Sequence, residues 1–172
     1  MQRFARLFEL VTVLSLIALP AAVAYRLVTV PPVPANAAQL FPEHRVAEAI
    51  GWAELIAALS CSGIAICLLA WTLLTLRRLF AAFRRGEALT EPTARLVRRT
   101  GFGLFLLALA GVLLGLAHSL LLSISGPPGT RTLSLSIGSA ELGFLIAGGV
   151  MTLVGWAMAD AARIAEENRG FV

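Results

Sequence analysis

Four long apolar runs, separated by polar or proline-rich interruptions, set the pattern of the chain. They cover about Leu10 to Val30, Trp52 to Leu76, Thr100 to Leu122 and Ala140 to Ala159. A helix needs ~20 apolar residues to cross the hydrocarbon of a bilayer, and each run meets that length. The pattern predicts spans at 9–30, 52–76, 100–122 and 140–159, in a single transmembrane domain over 1–172. The second run continues as an amphipathic helix from Arg77 to Arg85, where Gly86 is a natural stop. Thr90 reads as the N-cap of the third helix, with Glu91 and Pro92 in its first turn. Ser139 reads as the cap of the fourth helix, which reaches about Glu167.

The connections are distinct in character. Pro31-Pro32-Val33-Pro34 ends the first helix, and Val46 to Gly51 reads as a surface helix leading into the second span. Gly126-Pro127-Pro128-Gly129 breaks the chain again. Thr130 to Ile137 then alternates polar and apolar residues, as a short strand would, and its expected partner is Val28-Thr29-Val30 or the proline-rich segment after it. The predicted fold class is therefore all-α, an integral membrane four-helix bundle with a short external two-stranded β element.

Composition agrees with this class. Hydrophobic residues make up 58% and charged residues 14%, against ~25% charged in soluble domains. With mean hydropathy at +0.84, a water-soluble fold would lack polar surface to cover itself. All 14 basic residues are arginine, and the net charge is +4. Cys61 and Cys67 lie on different faces of the second run, so they read as small packing residues with no bridge between them.

The placement of the arginines orients the chain. Arg77, Arg78, Arg84, Arg85, Arg95, Arg98 and Arg99 crowd a basic hairpin at 77–99, between the second and third spans. Cationic loops resist translocation, so this hairpin marks the cytoplasmic side. Arg3, Arg6, Arg163 and Arg169 fall on the same side, and only Arg26, Arg45 and Arg131 on the other. The reading is four crossings of the bacterial inner membrane, with both termini and the tail at 160–172 cytoplasmic. The first run carries a second reading: a basic start, an apolar core and Ala22-Val23-Ala24 fit a signal peptide cleaved near residue 24. Apolar character continuing to Val30 favours a retained helix. Gly111 and Gly115, Gly143 and Ala147, and Gly155 and Ala159 are small residues at helical spacing that permit close helix approach, within one chain or in an oligomer.

Candidate chemistry is sparse. Ionisable residues within spans are the first place to look for function, and Arg26, Glu54, His118 and Glu141 are all expected in the outer third of the membrane. Together they would form an intramembrane polar cluster able to share a proton or hold a cation. The competing reading has each one reaching headgroup water or fixing helix packing. Glu9, at the inner start of the first helix, is expected to pair with Arg6 or a hairpin arginine. No catalytic order of Ser, His and Asp, P-loop, CxxC or HExxH is present, and no cofactor or metal site is predicted. The expectation is a non-enzyme. The arginines Arg77, Arg78, Arg84, Arg85, Arg95, Arg98 and Arg99, with Gly86, are candidate contacts for anionic headgroups or a protein partner. Leu79, Phe83, Leu89 and Leu96 would add an apolar ridge among them. Without aromatic interleaving or a recognition helix, the basic charge does not read as direct nucleic-acid binding.

Two blocks carry a family resemblance. Leu76-Arg77-Arg78-Leu79-Phe80, through Arg84-Arg85-Gly86-Glu87-Ala88-Leu89-Thr90 to Arg95-Leu96-Val97-Arg98-Arg99, resembles the basic loop of Domain-of-Unknown-Function family 2975. The finish, Ala162-Arg163-Ile164-Ala165-Glu166-Glu167 with terminal Val172, is similar to the end of that family. The chain departs from it at Leu89, where an aromatic is usual, and at Asp160-Ala161. The resemblance implies four transmembrane helices with the first retained, and no established activity. It also implies a membrane partner role for a small helix-turn-helix regulator, since members are commonly encoded beside one.

Three functions follow as expectations. In the first, the hairpin and tail present or withdraw a cytoplasmic docking surface for a small DNA-binding regulator. In the second, a small ion-coupled carrier uses Glu54, His118 and Glu141. In the third, the chain is a scaffold subunit of a membrane complex.

Overall fold

The computed structural model describes residues 2–127, 133 and 137–169. Among these the fold is all-helical: α1 (Gln2–Thr29), a 3-10 turn (Pro34–Asn36), α2 (Ala37–Leu40), α3 (Trp52–Arg84), α4 (Glu91–Ser123) and α5 (Ser139–Arg169). α1, α3, α4 and α5 are each long and apolar enough to cross a membrane. Their lipid-sized apolar surfaces, from Leu14 and Ile17 on α1 to Leu153 and Trp156 on α5, lie open. Water would oppose such exposure, and these surfaces fit a membrane protein.

The predicted punctuation acts as expected at the tight turn between α3 and α4. Gly86 takes φ +80°, a conformation that costs glycine little. Its N–H donates to the Phe83 carbonyl at 3.1 Å and that of Glu87 to Ala82 at 3.2 Å. This Schellman pair satisfies carbonyls that the end of α3 would otherwise leave open. Thr90 caps α4 by accepting from the Thr93 N–H at 3.4 Å. The Thr93 hydroxyl then donates to the Glu87 carbonyl at 2.7 Å, so the turn is closed from both sides.

Each long helix packs chiefly on its neighbour in the chain: α1 on α3, α3 on α4, and α4 on α5. The bundle is thus an open row, with α1 and α5 at its edges. Small residues set the α4–α5 register. A Cβ on Gly148 would stand 2.7 Å from the Gly101 carbonyl oxygen, and one on Gly101 would stand 2.7 Å from that of Gly148. Backbones touch there, as close membrane helices allow. Gly148, Gly155 and Ala162 are the buried positions of α5, and a seven-residue repeat is the seam of a left-handed helix pair.

That register has a consequence for depth. Glu141, in the first turn of α5, lies over Gly111 of α4. α4 continues twelve residues farther, to Ser123, or ~18 Å at 1.5 Å per residue. α5 therefore starts well short of the end of α4.

Two expectations about the connections change. Val28-Thr29-Val30 does not form a strand: α1 runs through Thr29, whose hydroxyl donates back to the Tyr25 carbonyl at 2.9 Å. Pro31 and Pro32, lacking N–H groups, stop the helix only there. The other expected strand, Thr130 to Ile137, lies outside the described residues except Leu133 and Ile137, which are not in a strand. Val46 to Gly51 is not a surface helix. The Ala47 N–H instead donates to the Leu122 carbonyl at 2.8 Å, one of the open acceptors at the end of α4. Residues 30–51 thus form a strap across the ends of α3 and α4.

The ordered core sits under this strap. Ala37 and Ile50 of the strap close on Leu55 and Ala58 of α3 and Leu122 of α4, with Leu40, Phe41, Val46 and Leu59 around them. Fractional exposure is zero at Ala37, Leu55, Ala58 and Leu122. Toward the hairpin, Leu79 and Ala82 of α3 and Ala94 and Val97 of α4 are also buried.

Candidate functional site

His118 is the centre of the strap end. It is buried on α4, with Nε2 2.9 Å from the Ala58 carbonyl oxygen and 3.1 Å from Ser62 Oγ. A carbonyl only accepts, so Nε2 carries the hydrogen. The Phe41 and His44 rings of the strap lie over it, each centroid 5.4 Å away. Burial beside His118 holds the His44 pKa below its ordinary 6.5, and Glu43 and the Gly115 carbonyl oppose this less strongly. His118 stands out in the sequence as an ionisable residue within a span, whereas His44 and Phe41 arrive through the fold of the strap.

The four members of the expected polar cluster take separate partners. Arg26 donates to the Gln39 carbonyl of the strap. Glu54 accepts from Ser125 Oγ at 2.8 Å, beyond the end of α4. Glu141 accepts from the Gly138 N–H at 2.9 Å and so caps its own helix. The carbonyl of Gly138 also takes the first helical bond, from Leu142. Gly138 therefore holds the N-cap position expected for Ser139. Glu141 faces Gly111, seven residues from His118 along α4, or ~10 Å. No hydrogen bond or ion pair joins any two of these four residues, and no group of three His, Cys, Asp or Glu among the described residues could hold a metal.

At the other end, α1 meets the hairpin. Glu9 pairs with Arg84 at 3.3 Å, and Phe8 stacks on Phe80 with ring centroids 5.4 Å apart. Arg85 forms two 3.0 Å bonds with Glu87. This holds the Arg85 pKa above its usual value and that of Glu87 below. Arg95 pairs with Glu91 at 2.7 Å. Arg77, Arg78, Arg98 and Arg99 have no carboxylate partner among the described residues. The expected apolar ridge is broken, because Leu79 is buried against α4 while Leu89 stands 68% exposed at the tip. Ile164 of the tail is also exposed.

α1 is thus attached at each end and loosely packed in its middle. Its buried positions, Ala5 and Thr12, both lie in the hairpin half. Beyond Leu16 a groove opens between α1 and α3, containing cavities of about 680 Å³ and 410 Å³ that share Leu19, Val23, Leu27 and Ile66. Pro20 lies in this stretch and removes one helical hydrogen bond. The carrying geometry is a helix tied to the strap through Arg26 and to the hairpin through Glu9 and Phe8. Comparison of the chain with protein-family models, curated proteins and solved structures finds no match.

Proposed function

We propose that the chain is a non-enzymatic, multi-pass inner-membrane protein that relays the state of its strap to a docking surface on its hairpin. The hairpin and both termini face the cytoplasm in this reading, because the arginines concentrate there. The observation that carries it is the double attachment of α1: Arg26 to Gln39 at one end, Glu9 to Arg84 at the other. A helix with little buried surface between two ties can shift as a rod. Movement of the strap then changes how Arg84 and Arg85 are presented beside the exposed Leu89.

A relay needs two arrangements of similar free energy and a differential contact in each. Breaking the Glu9–Arg84 pair frees a half-exposed guanidinium for an acidic partner. The proposed partner is a small DNA-binding regulator, following the family resemblance of the hairpin motif. Affinity capture from cells tests this: such a regulator is recovered with the wild-type chain and lost with Arg84→Glu and Arg85→Glu. Recovery of no soluble partner, or recovery unchanged by both substitutions, contradicts it. The separate partners of Glu54, His118 and Glu141 give less support to an ion-coupled carrier.

A further inference from the structure

We infer that the groove between α1 and α3 is a binding site for one anionic phospholipid, one of its two acyl chains between the helices and its phosphate on Arg26. The inference does not depend on the relay or on which side the strap faces.

Three observations converge. First, the groove is mainly apolar: Leu16, Leu19 and Val23 of α1 and Leu59, Ile66 and Ala70 of α3 line it, and the Ser62 hydroxyl is bonded to Ala58 and His118. From Leu16 to Arg26 it spans ten residues, or ~15 Å. That is half of a hydrocarbon core of ~30 Å, the reach of one leaflet. Secondly, Arg26 stands at the mouth with no carboxylate partner among the described residues. It has five N–H donors, and among the described residues the Gln39 carbonyl is its one bonded partner. A phosphate accepts from a guanidinium in two-pronged fashion, so the free charge and the apolar slot complement the two halves of an anionic lipid. Thirdly, Tyr25, next to Arg26 in the chain, and Trp52, at the start of α3, are 72% and 57% exposed. Such rings favour the headgroup boundary, which is the depth where a lipid phosphate lies.

Gly63 offers a clean way to close the site. It lines the groove, and a Cβ built there meets no atom within 4 Å. Gly63→Leu therefore adds bulk at the groove from an unobstructed Cβ, and replacing a mid-helix glycine favours the helix.

The test is native mass spectrometry of the full-length chain in mild detergent, titrated with phosphatidylglycerol and phosphatidylethanolamine at equal concentrations. The expected result is one phosphatidylglycerol per chain, held about tenfold more tightly than phosphatidylethanolamine, whose ammonium group repels the guanidinium that its phosphate attracts. Arg26→Gln removes this preference, and Gly63→Leu removes retention of both lipids while leaving the circular dichroism unchanged. Equal retention of the two lipids by the wild type, or undiminished retention by Gly63→Leu, overturns the proposal. So does displacement of the phospholipid by palmitate at equal concentration, or a lipid-free dimer as the main species.

Discussion

Glu9 and Arg84 meet at 3.3 Å, joining the first turns of the chain to the last turn of a helix that begins at residue 52. The carboxylate is mostly covered and the guanidinium is half in solvent. In the proposed relay the pair is a releasable latch, because its guanidinium stays within reach of water. Exposed pairs contribute ~0.2–1 kcal/mol. A double-mutant cycle with Glu9→Gln and Arg84→Gln should give a coupling within that range, shrinking in about 1 M salt as screening shortens to ~3 Å. A coupling of several kcal/mol would mark the pair as a fixed strut and remove the latch.

The α4–α5 seam makes a sharper prediction about stability. Gly101→Ala or Gly148→Ala places a methyl group below 3 Å from backbone atoms of the facing helix. Overpacking of this kind costs about 1–3 kcal/mol, read as a lower unfolding midpoint in mixed micelles. Gly115→Ala and Gly143→Ala meet open space and should be neutral or slightly stabilising.

The strap should respond to acid. His44 has its pKa lowered by burial beside His118, with Glu43 acting in the opposite sense. The unfolded or detached strap therefore binds the proton more readily than the packed one. Its packing is at full strength above the ordinary histidine value of 6.5 and weakens as pH falls below it. Thermal unfolding should show a Tm that drops between about pH 7.5 and about pH 5.5, with a smaller drop in His44→Gln. Equal drops in the two proteins would assign the acid response to other groups.

The crossing scheme is tested by thiol labelling. In a chain with Cys61→Ala and Cys67→Ala, a cysteine replacing the exposed Leu89 should react with an impermeant maleimide only after the inner membrane is opened. A cysteine replacing the exposed Glu43 should react in intact spheroplasts. The reverse pattern would invert the orientation.

How far the sequence reaches differs between the two parts of the molecule. The long helices were legible because their ends carry local chemistry: Pro31, Gly86, and Thr90 with Pro92 each act within a few residues. The Glu9 partner among the hairpin arginines was legible from charge and depth. The strap was not, because Ala37, Phe41, His44 and Ile50 are fixed by surfaces of α3 and α4 distant in sequence. The separation of Glu141 from His118 was hidden for a related reason. The depth of Glu141 depends on which glycines of α4 and α5 touch, and Gly101 and Gly148 set a register displaced from the centres of the two apolar runs. Local pattern defines a helix, but not how far it slides along its neighbour.

The most direct measurement concerns action at a distance along α1. Arg26→Ala cuts the tie to Gln39 at the strap end, remote from the hairpin. Hydrogen exchange of the full-length chain in nanodiscs, followed by mass spectrometry, should show faster exchange in the strap and also in residues 84–90, with the α4–α5 seam unchanged. Faster exchange confined to the strap, with 84–90 as in the wild type, would contradict the coupling of the two ends through the first helix.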